Sequence, residues 1–555
     1  MKIALLQVNS TIADFQGNAE KMLALAEGAA AAGADLAVFP ELCVCGYPPL
    51  DLLDQERFTD ECLKAVRAFQ RRSPAKLGAV IGYIDKNRTG KGKALVNAVS
   101  LIHENRILFT QTKTLLPTYD VFDEARYFEP AARRRVFEFR GVKIGIAICE
   151  DVWWEQERSA VLQYPVDPVK ELLDLGAGLL LVPSASPFYS GKPAVRRNLA
   201  LDISRSSGVP VCYVNLVGGN DSLIFDGQSF YVSPRGRLEA AAAAFAEDTL
   251  IVDTEKPMKP AAPPLGKYEE IERALVLGIK DYLAKCGFRR VHLGLSGGID
   301  SALVAVLATR AVGRENVRAF ALPSRFSSPA SLADARQLAA NLGVGLEVVS
   351  IESIFPRLLE ALAPVFAGKA PDVTEENVQA RIRSLILMAY ANKFDSVLLN
   401  TGNKSELATG YCTLYGDMCG SLAVIGDLFK TEVYGLARDI NRRGPVIPEA
   451  IIAKAPTAEL KENQTDQDTL PPYELLDLIL EDLLLRNLSV DEICEKGRER
   501  AMVEKVVKMV GRAEYKRRQA PPVLKVSPRA FGMGRRMPIA RHFFELRPAP
   551  ESGAR

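Results

Sequence analysis

Histidine is nearly missing from this chain: the 555 residues hold three, His103, His292 and His542. None lies close in sequence to a plausible nucleophile, so a Ser-His or Cys-His dyad could arise only through long-range folding. Net charge is also nearly absent. Lys and Arg number 70 against 68 Asp and Glu, leaving +2, which argues against a polyelectrolyte spread over the whole surface; no nucleic-acid partner is expected. No uninterrupted apolar run approaches the ~20 residues of a membrane span, so no membrane partner is expected either. The opening "MKIALLQVNS" has no apolar core followed by a small-residue cleavage site and reads as a first strand. The nine cysteines are odd in number and unpaired in spacing, and Cys43 and Cys45 sit too close for the usual zinc pair. They read as reduced thiols of a cytoplasmic protein.

What is present is ordinary globular material, 48% hydrophobic and 25% charged. The clearest break is "TEKPMKPAAPPLGKYEEI", residues 254–271, where proline and alanine replace any periodic pattern. It divides the chain into residues 1–253, a linker at 254–266, and residues 267–555. Upstream, β-like runs at 2–8, 35–39, 79–84, 96–102, 143–148, 178–182, 210–214 and 228–232 alternate with helical segments, as in a layered α/β domain. Downstream, "VHLGL", "VRAFALP", "LEVVSI" and "SVLLNTGN" take strict turns with helices. That order predicts a doubly wound parallel sheet with ligands beyond its carboxyl strand ends. The leucine-rich "YELLDLILEDLLL" predicts an amphipathic packing helix.

"HLGLSGGIDSALVAV", residues 292–306, looks like a phosphate loop without the usual lysine. Glycines admit an anion close to the backbone, and the amides of the following helix attract it. The absence of Gly-Lys-Ser/Thr excludes the loop that grips β- and γ-phosphates for terminal phosphoryl transfer. Strand-SGGxDS-helix resembles instead the loop of enzymes that split ATP between its α- and β-phosphates. There it would cradle pyrophosphate, and Asp300 would ligate Mg²⁺, an oxygen-preferring ion. Such a split turns a carboxylate into an acyl-adenylate, ready for a nitrogen nucleophile.

The first half offers a source of that nitrogen. Glu41 in "AVFPELCVCGYPPLDLL", Lys113 in "QTKTLLPTYDVFDEARYFEP" and Cys149 in "GVKIGIAICEDVWW" each follow a β-like run. Together they suit amide hydrolysis without histidine: Cys149 attacks, Glu41 carries the proton, and Lys113 favours the thiolate and steadies the oxyanion. Glu124 would orient Lys113 or the substrate amide, or form a surface salt bridge. The trio resembles the nitrilase superfamily, implying an α-β-β-α sandwich, and "LLLVPSASPFYSGK" and "NLVGGNDSLIFDGQSFYVSPRG" look like its later strands.

An amidase ahead of an adenylating unit resembles, over nearly the whole length, the glutamine-dependent NAD⁺ synthetase family. "LNTGNKSELATGYCTLYGD" (399–417), "GDLFKTEVYGLAR" (426–438), "APTAELKENQTDQDTLPPYELLD" and "EYKRRQAPPVLKVSPRAFG" carry the likeness. The intervening "MCGSLAVIGDLF" departs from the glycine-richer family form. The resemblance implies that Tyr119, Ser186 and Lys192 contact glutamine. It implies that Gly294, Leu295, Ser296, Gly297, Gly298, Ile299, Asp300, Ser301, Thr401 and Lys430 bind ATP. It places Asn377, Glu406 and Lys525 on deamido-NAD⁺, lets Glu406 share Mg²⁺ with Asp300, and implies a homo-oligomer and an enclosed path for ammonia. The tail cations Arg512, Lys516, Arg517, Arg518, Lys525, Arg529, Arg535, Arg536 and Arg541 would surround an anionic dinucleotide or form a solvated basic face. The same adenylating loop serves other amidotransferases, but those with a Cys-His-Glu or an N-terminal cysteine glutaminase do not fit a Met-Lys start and three histidines. A nucleic-acid-binding regulator would need no intact Cys149, Glu41 or Asp300.

Overall fold

The computed structural model of the chain describes residues 1–154, 164–256 and 263–546. The chain forms two compact units, Met1–Leu265 and Gly266–Arg555. Part of the proline-rich stretch, 257–262, lies outside the described residues, and helix Lys267–Lys285 already begins within its last residues.

Two six-stranded sheets build the first unit. One runs in the order Asp248–Asp253, Lys2–Gln7, Leu36–Val38, Gly78–Lys86, Leu95–His103, Arg106–Thr112. The other runs Arg237–Ala241, Phe230–Ser233, Val211–Asn215, Leu179–Ser184, Val142–Ile146, Val136–Phe139. Strands here are apolar at successive positions because both faces are covered, and alternate residues serve the two faces. Ile3, Leu5, Val38 and Val80 meet Ile144, Ile146, Leu181 and Val214 between the sheets. Ala4, Leu6, Ala37 and Ile81 point the other way, onto Met22, Ala26, Cys62 and Phe69 of helices Phe15–Ala31 and Glu56–Arg72. Leu172 and Leu199 from helices Pro168–Asp174 and Lys192–Ser207 cover the outer face of the second sheet. The layers are α-β-β-α.

The second unit carries five parallel strands in the order Gly345–Val348, Val317–Ala321, Arg290–Gly294, Ser396–Asn400, Leu422–Ala423. The chain builds outward from Arg290–Gly294 in one direction and then returns to its other side at Ser396–Asn400. That reversal opens a crevice at the carboxyl ends of these two strands. Helix Tyr473–Leu480 runs on through a π-helical turn, Glu481–Leu485, and buries Leu476, Ile479, Leu480 and Leu484 against Val503 and Val506 of helix Arg500–Arg512. Among the described residues no helix is long and apolar enough to cross a membrane.

Candidate active sites

In the first unit, three chain segments leaving strands converge. Glu41 follows Leu36–Val38, Lys113 follows Arg106–Thr112, and Cys149 opens a turn after Val142–Ile146. The Glu41 turn lies so close to Gly82 that a Cβ there would stand 2.5 Å from Pro40 O and Leu42 N. The Lys113 ammonium donates to Glu41 Oε1 at 2.7 Å and to Glu124 Oε1 and Oε2 at 2.8 and 2.9 Å. Glu41 also accepts from Asn97 Nδ2 at 2.7 Å and from the Ala185 N–H at 3.0 Å. Tyr47 O–H donates to Glu124 at 2.8 Å. Exposures of 0% for Glu41, 1% for Lys113, 5% for Glu124 and 4% for Cys149 exclude a solvated salt bridge.

Burial would strip the Lys113 proton, but the Glu124 and Glu41 carboxylates outweigh it and hold the ammonium well above the usual lysine range. Burial, reinforced by the Glu41 charge, pushes the Cys149 thiol well above its ordinary value. Lys113 does pull it down, as its cation should, yet is outweighed. Lys113 thus favours the thiolate, while burial beside the Glu41 carboxylate favours the thiol and outweighs it. Cys149 has φ +47°, a strained value for a non-glycine residue. His292 is bonded to Ser396 Oγ and Leu387 O, each at 2.9 Å, and His103 packs edge-on against Phe139.

The residues expected to meet glutamine lie against the segment after Cys149 or next to Ala185, which holds Glu41. Tyr119 O–H donates to Glu150 at 3.0 Å, and Tyr164 O–H donates to the same carboxylate at 2.9 Å. The Lys192 ammonium lies 3.7 Å from the Trp153 ring centroid, a cation–π contact. Ser186 is buried, donates its N–H to Asn215 Oδ1 at 2.9 Å, and directly follows Ala185, which holds Glu41.

In the second unit a cavity of about 340 Å³, in the range of small-molecule sites, opens at the reversal of strand order. Gly294, Leu295, Ser296, Gly298, Ile299, Asp300 and Ser301 line it together with Thr401, Glu406 and Lys430. Gly297 shapes the loop instead: its φ is +80°, and a Cβ would stand 2.3 Å from Ser331 O. Ser301 Oγ accepts from the Ser296 N–H at 3.2 Å, and Ser296 Oγ accepts from the Gly298 N–H at 3.2 Å. Helix Ile299–Val312 has no side-chain cap, so its first amides face the cavity end. Asp300 is not a cap; its carboxylate accepts from Asn403 Nδ2 at 3.0 Å and from the Lys430 ammonium. Glu406 stands 3.9 Å from Lys430 Nζ. Burial, and then the Asp300 charge, push the Glu406 carboxyl up to about 8. Lys430 is held above the usual lysine range by those two carboxylates despite its burial.

Two residues expected on deamido-NAD⁺ bond to the protein itself. Lys525 does not line the cavity; it is 2% exposed and donates to the Ser527 and Pro528 carbonyls at 3.0 and 2.7 Å. Asn377 lies outside the lining too and accepts from Thr413 Oγ1 at 2.7 Å. None of the tail cations lines the cavity. Arg517 is buried on Glu514 and the Leu407 and Ala408 carbonyls, and Lys516 caps the Gly410 and Cys412 carbonyls. Within the cluster these two members satisfy orphan carbonyls at the end of helix Lys404–Thr409. Sequence reasoning missed Asn97 on Glu41, and Arg383 and Lys454 in the cavity lining. Arg383 is desolvated and lowered to about 10; no motif spacing marks it.

The folds and the two sites define a ligase in which an amide-cleaving unit is joined to an ATP-using one. Residues 2–258 match the carbon-nitrogen hydrolase family and residues 271–520 the NAD synthase family. The glutamine-dependent NAD(+) synthetase of a Synechocystis species is 46% identical over 98% of this chain and 99% of its own. That of Thermotoga maritima is 41% identical over 98% and 99%. The solved structure of the Acinetobacter baumannii glutamine-dependent NAD+ synthetase with adenosine diphosphate covers 97% of this chain and 98% of its own, with a TM-score of 0.77 and 38% identity. The chain belongs to the glutamine-dependent NAD(+) synthetase family.

Proposed function

We propose that Cys149 hydrolyses glutamine and that the second unit uses the ammonia to amidate deamido-NAD⁺ at the expense of ATP. The observation that carries this reading is the buried Glu41–Lys113–Glu124 chain placed where its charges act on the Cys149 thiol. Cys149 Sγ attacks the side-chain carbonyl carbon of glutamine while its proton passes to Glu41, so the nucleophile is made only as it reacts. Lys113 steadies the oxyanion. Collapse expels ammonia with the proton from Glu41 and leaves a thioester. Glu41 then deprotonates water, whose attack releases glutamate and returns the proton to sulfur. Tyr119, Ser186 and Lys192 hold the substrate.

In the second unit the carboxylate of deamido-NAD⁺ attacks the α-phosphorus of ATP, and pyrophosphate leaves into the Ser296–Ser301 loop. Ammonia attacks the acyl-adenylate carbonyl, AMP departs, a proton is lost, and NAD⁺ results. Thr401 and Lys430 complete the ATP site. Glu406 and the cavity wall meet the dinucleotide, and Asn377 and Lys525 join them: the bond from Thr413 uses only the Asn377 oxygen, and the two carbonyls use two of the three Lys525 donors. Asp300 and Glu406, two carboxylates at one loop with a lysine between them, fit the oxygen preference of Mg²⁺; when bound, the ion would neutralise charge on the pyrophosphate. The protein works in the cytoplasm, consistent with its free cysteines. The protein works as a homo-oligomer, and the exposed Val365 and Leu385 of helices Phe355–Phe366 and Val373–Phe394, 76% and 67% exposed, are where we would test its contact.

Incubation with ATP, Mg²⁺, glutamine and deamido-NAD⁺ should yield NAD⁺, AMP and glutamate together. Asp300→Ala should stop AMP formation with glutamine and with ammonium alike. AMP formation unchanged in that variant would remove Asp300 from the ATP site.

A further inference from the structure

Asp151 lies two residues beyond the nucleophile, is 2% exposed, and bonds to no other side chain among the described residues. Both of its oxygens are used on main-chain donors. Oδ1 accepts from the Thr114 N–H at 2.9 Å and the Leu115 N–H at 2.8 Å, while Oδ2 accepts from the Ile148 N–H at 2.9 Å. Thr114 and Leu115 directly follow Lys113, and Ile148 directly precedes Cys149. One buried carboxylate therefore ties the segment carrying the cation to the turn carrying the sulfur. The two segments are far apart in sequence and belong to different sheets, Arg106–Thr112 to one and Val142–Ile146 to the other. Charge-assisted bonds of this kind are roughly twice as strong as neutral ones. A strained backbone such as that of Cys149 persists only where its surroundings over-determine it.

We propose that Asp151 is a positioning residue for glutamine hydrolysis, holding Cys149 in register with Lys113 and, through Lys113, with Glu41. The proposal rests on Cys149 being the nucleophile. Asp151 touches no substrate atom and moves no proton. An amide has only one acceptor oxygen, so Asp151→Asn keeps the volume but cannot serve both sides of the bridge. Asp151→Glu keeps both acceptors and shifts them by one methylene.

The full-length variants are compared with wild type for glutamine hydrolysis and for alkylation of Cys149 by iodoacetamide, with Cys149→Ala as the blank. Misplacement on the scale of an ångström costs about 10²-fold, so Asp151→Asn should lower kcat by about that factor and slow alkylation, with KM for glutamine within about threefold. Asp151→Glu should fall between Asp151→Asn and wild type, and it carries the same readout where Asp151→Asn does not purify folded. A kcat within about threefold of wild type in both variants, or a loss seen as raised KM alone, would overturn the proposal. Glutamine hydrolysis by Cys149→Ala would instead overturn the nucleophile assignment beneath it.

Discussion

At the scale of single residues, burial decides what each charged group does. Lys113, Lys404, Lys430 and Lys525 are all at most 3% exposed, yet their surroundings set different tasks. Lys113 stands between two carboxylates, where we propose its chemistry, whereas Lys404 is held by Asp427, Ser527 Oγ and the Arg529 carbonyl. A sequence shows four lysines and no such distinction. His292 gives a pH test. Burial lowers its pKa from 6.5 to about 4, so the unfolded chain binds the extra proton first. The stability contribution is complete above pH 6.5 and is lost as pH falls toward 4. Between pH 7 and pH 5 the wild type should lose about 2 kcal/mol more than His292→Gln, read from denaturant unfolding of the second unit's strands. Equal losses in the two proteins would show that His292 is already charged in the fold.

At the scale of elements, the strand ends were the most legible part of the chain. Each of the eight β-like runs read in the first half is a strand, because strands covered on both faces are apolar without interruption. The strands Val136–Phe139, Arg237–Ala241 and Asp248–Asp253 escaped notice, because Glu138, Arg237, Glu239, Asp248 and Asp253 break their apolar runs. Helix Phe355–Phe366 was also hidden, since prolines at 356 and 364 imitate a loop. Gly297 is where an element depends on a single residue. Gly297→Ala places a Cβ against Ser331 O in a left-handed conformation, so AMP formation should fall by about 10²-fold while glutamine hydrolysis continues, as a coupled assay for each product will show. The exposed face of helix Val373–Phe394 yields a second element-level test. Leu385→Glu should convert the proposed homo-oligomer to a smaller species in sedimentation velocity; an unchanged sedimentation coefficient would place the contact elsewhere.

At the scale of the whole molecule, two units with separate cores carry two chemistries that need one another. The class of both sites could be read from contiguous signals: the SGGxDS loop, and three residues each placed just after a β-like run. Asn97, Asp151, Arg383 and Lys454 could not, because each acts through a contact made by folding and belongs to no local pattern. The most direct measurement supplies [amide-¹⁵N]glutamine, ATP, Mg²⁺ and deamido-NAD⁺ and follows the mass of the NAD⁺ formed by wild type and by Cys149→Ala. The expected result is labelled NAD⁺ from wild type, none from the variant, and unlabelled NAD⁺ from the variant once ammonium chloride is added. Labelled NAD⁺ from Cys149→Ala, or no product from it even with ammonium, would contradict the division of labour between the two units.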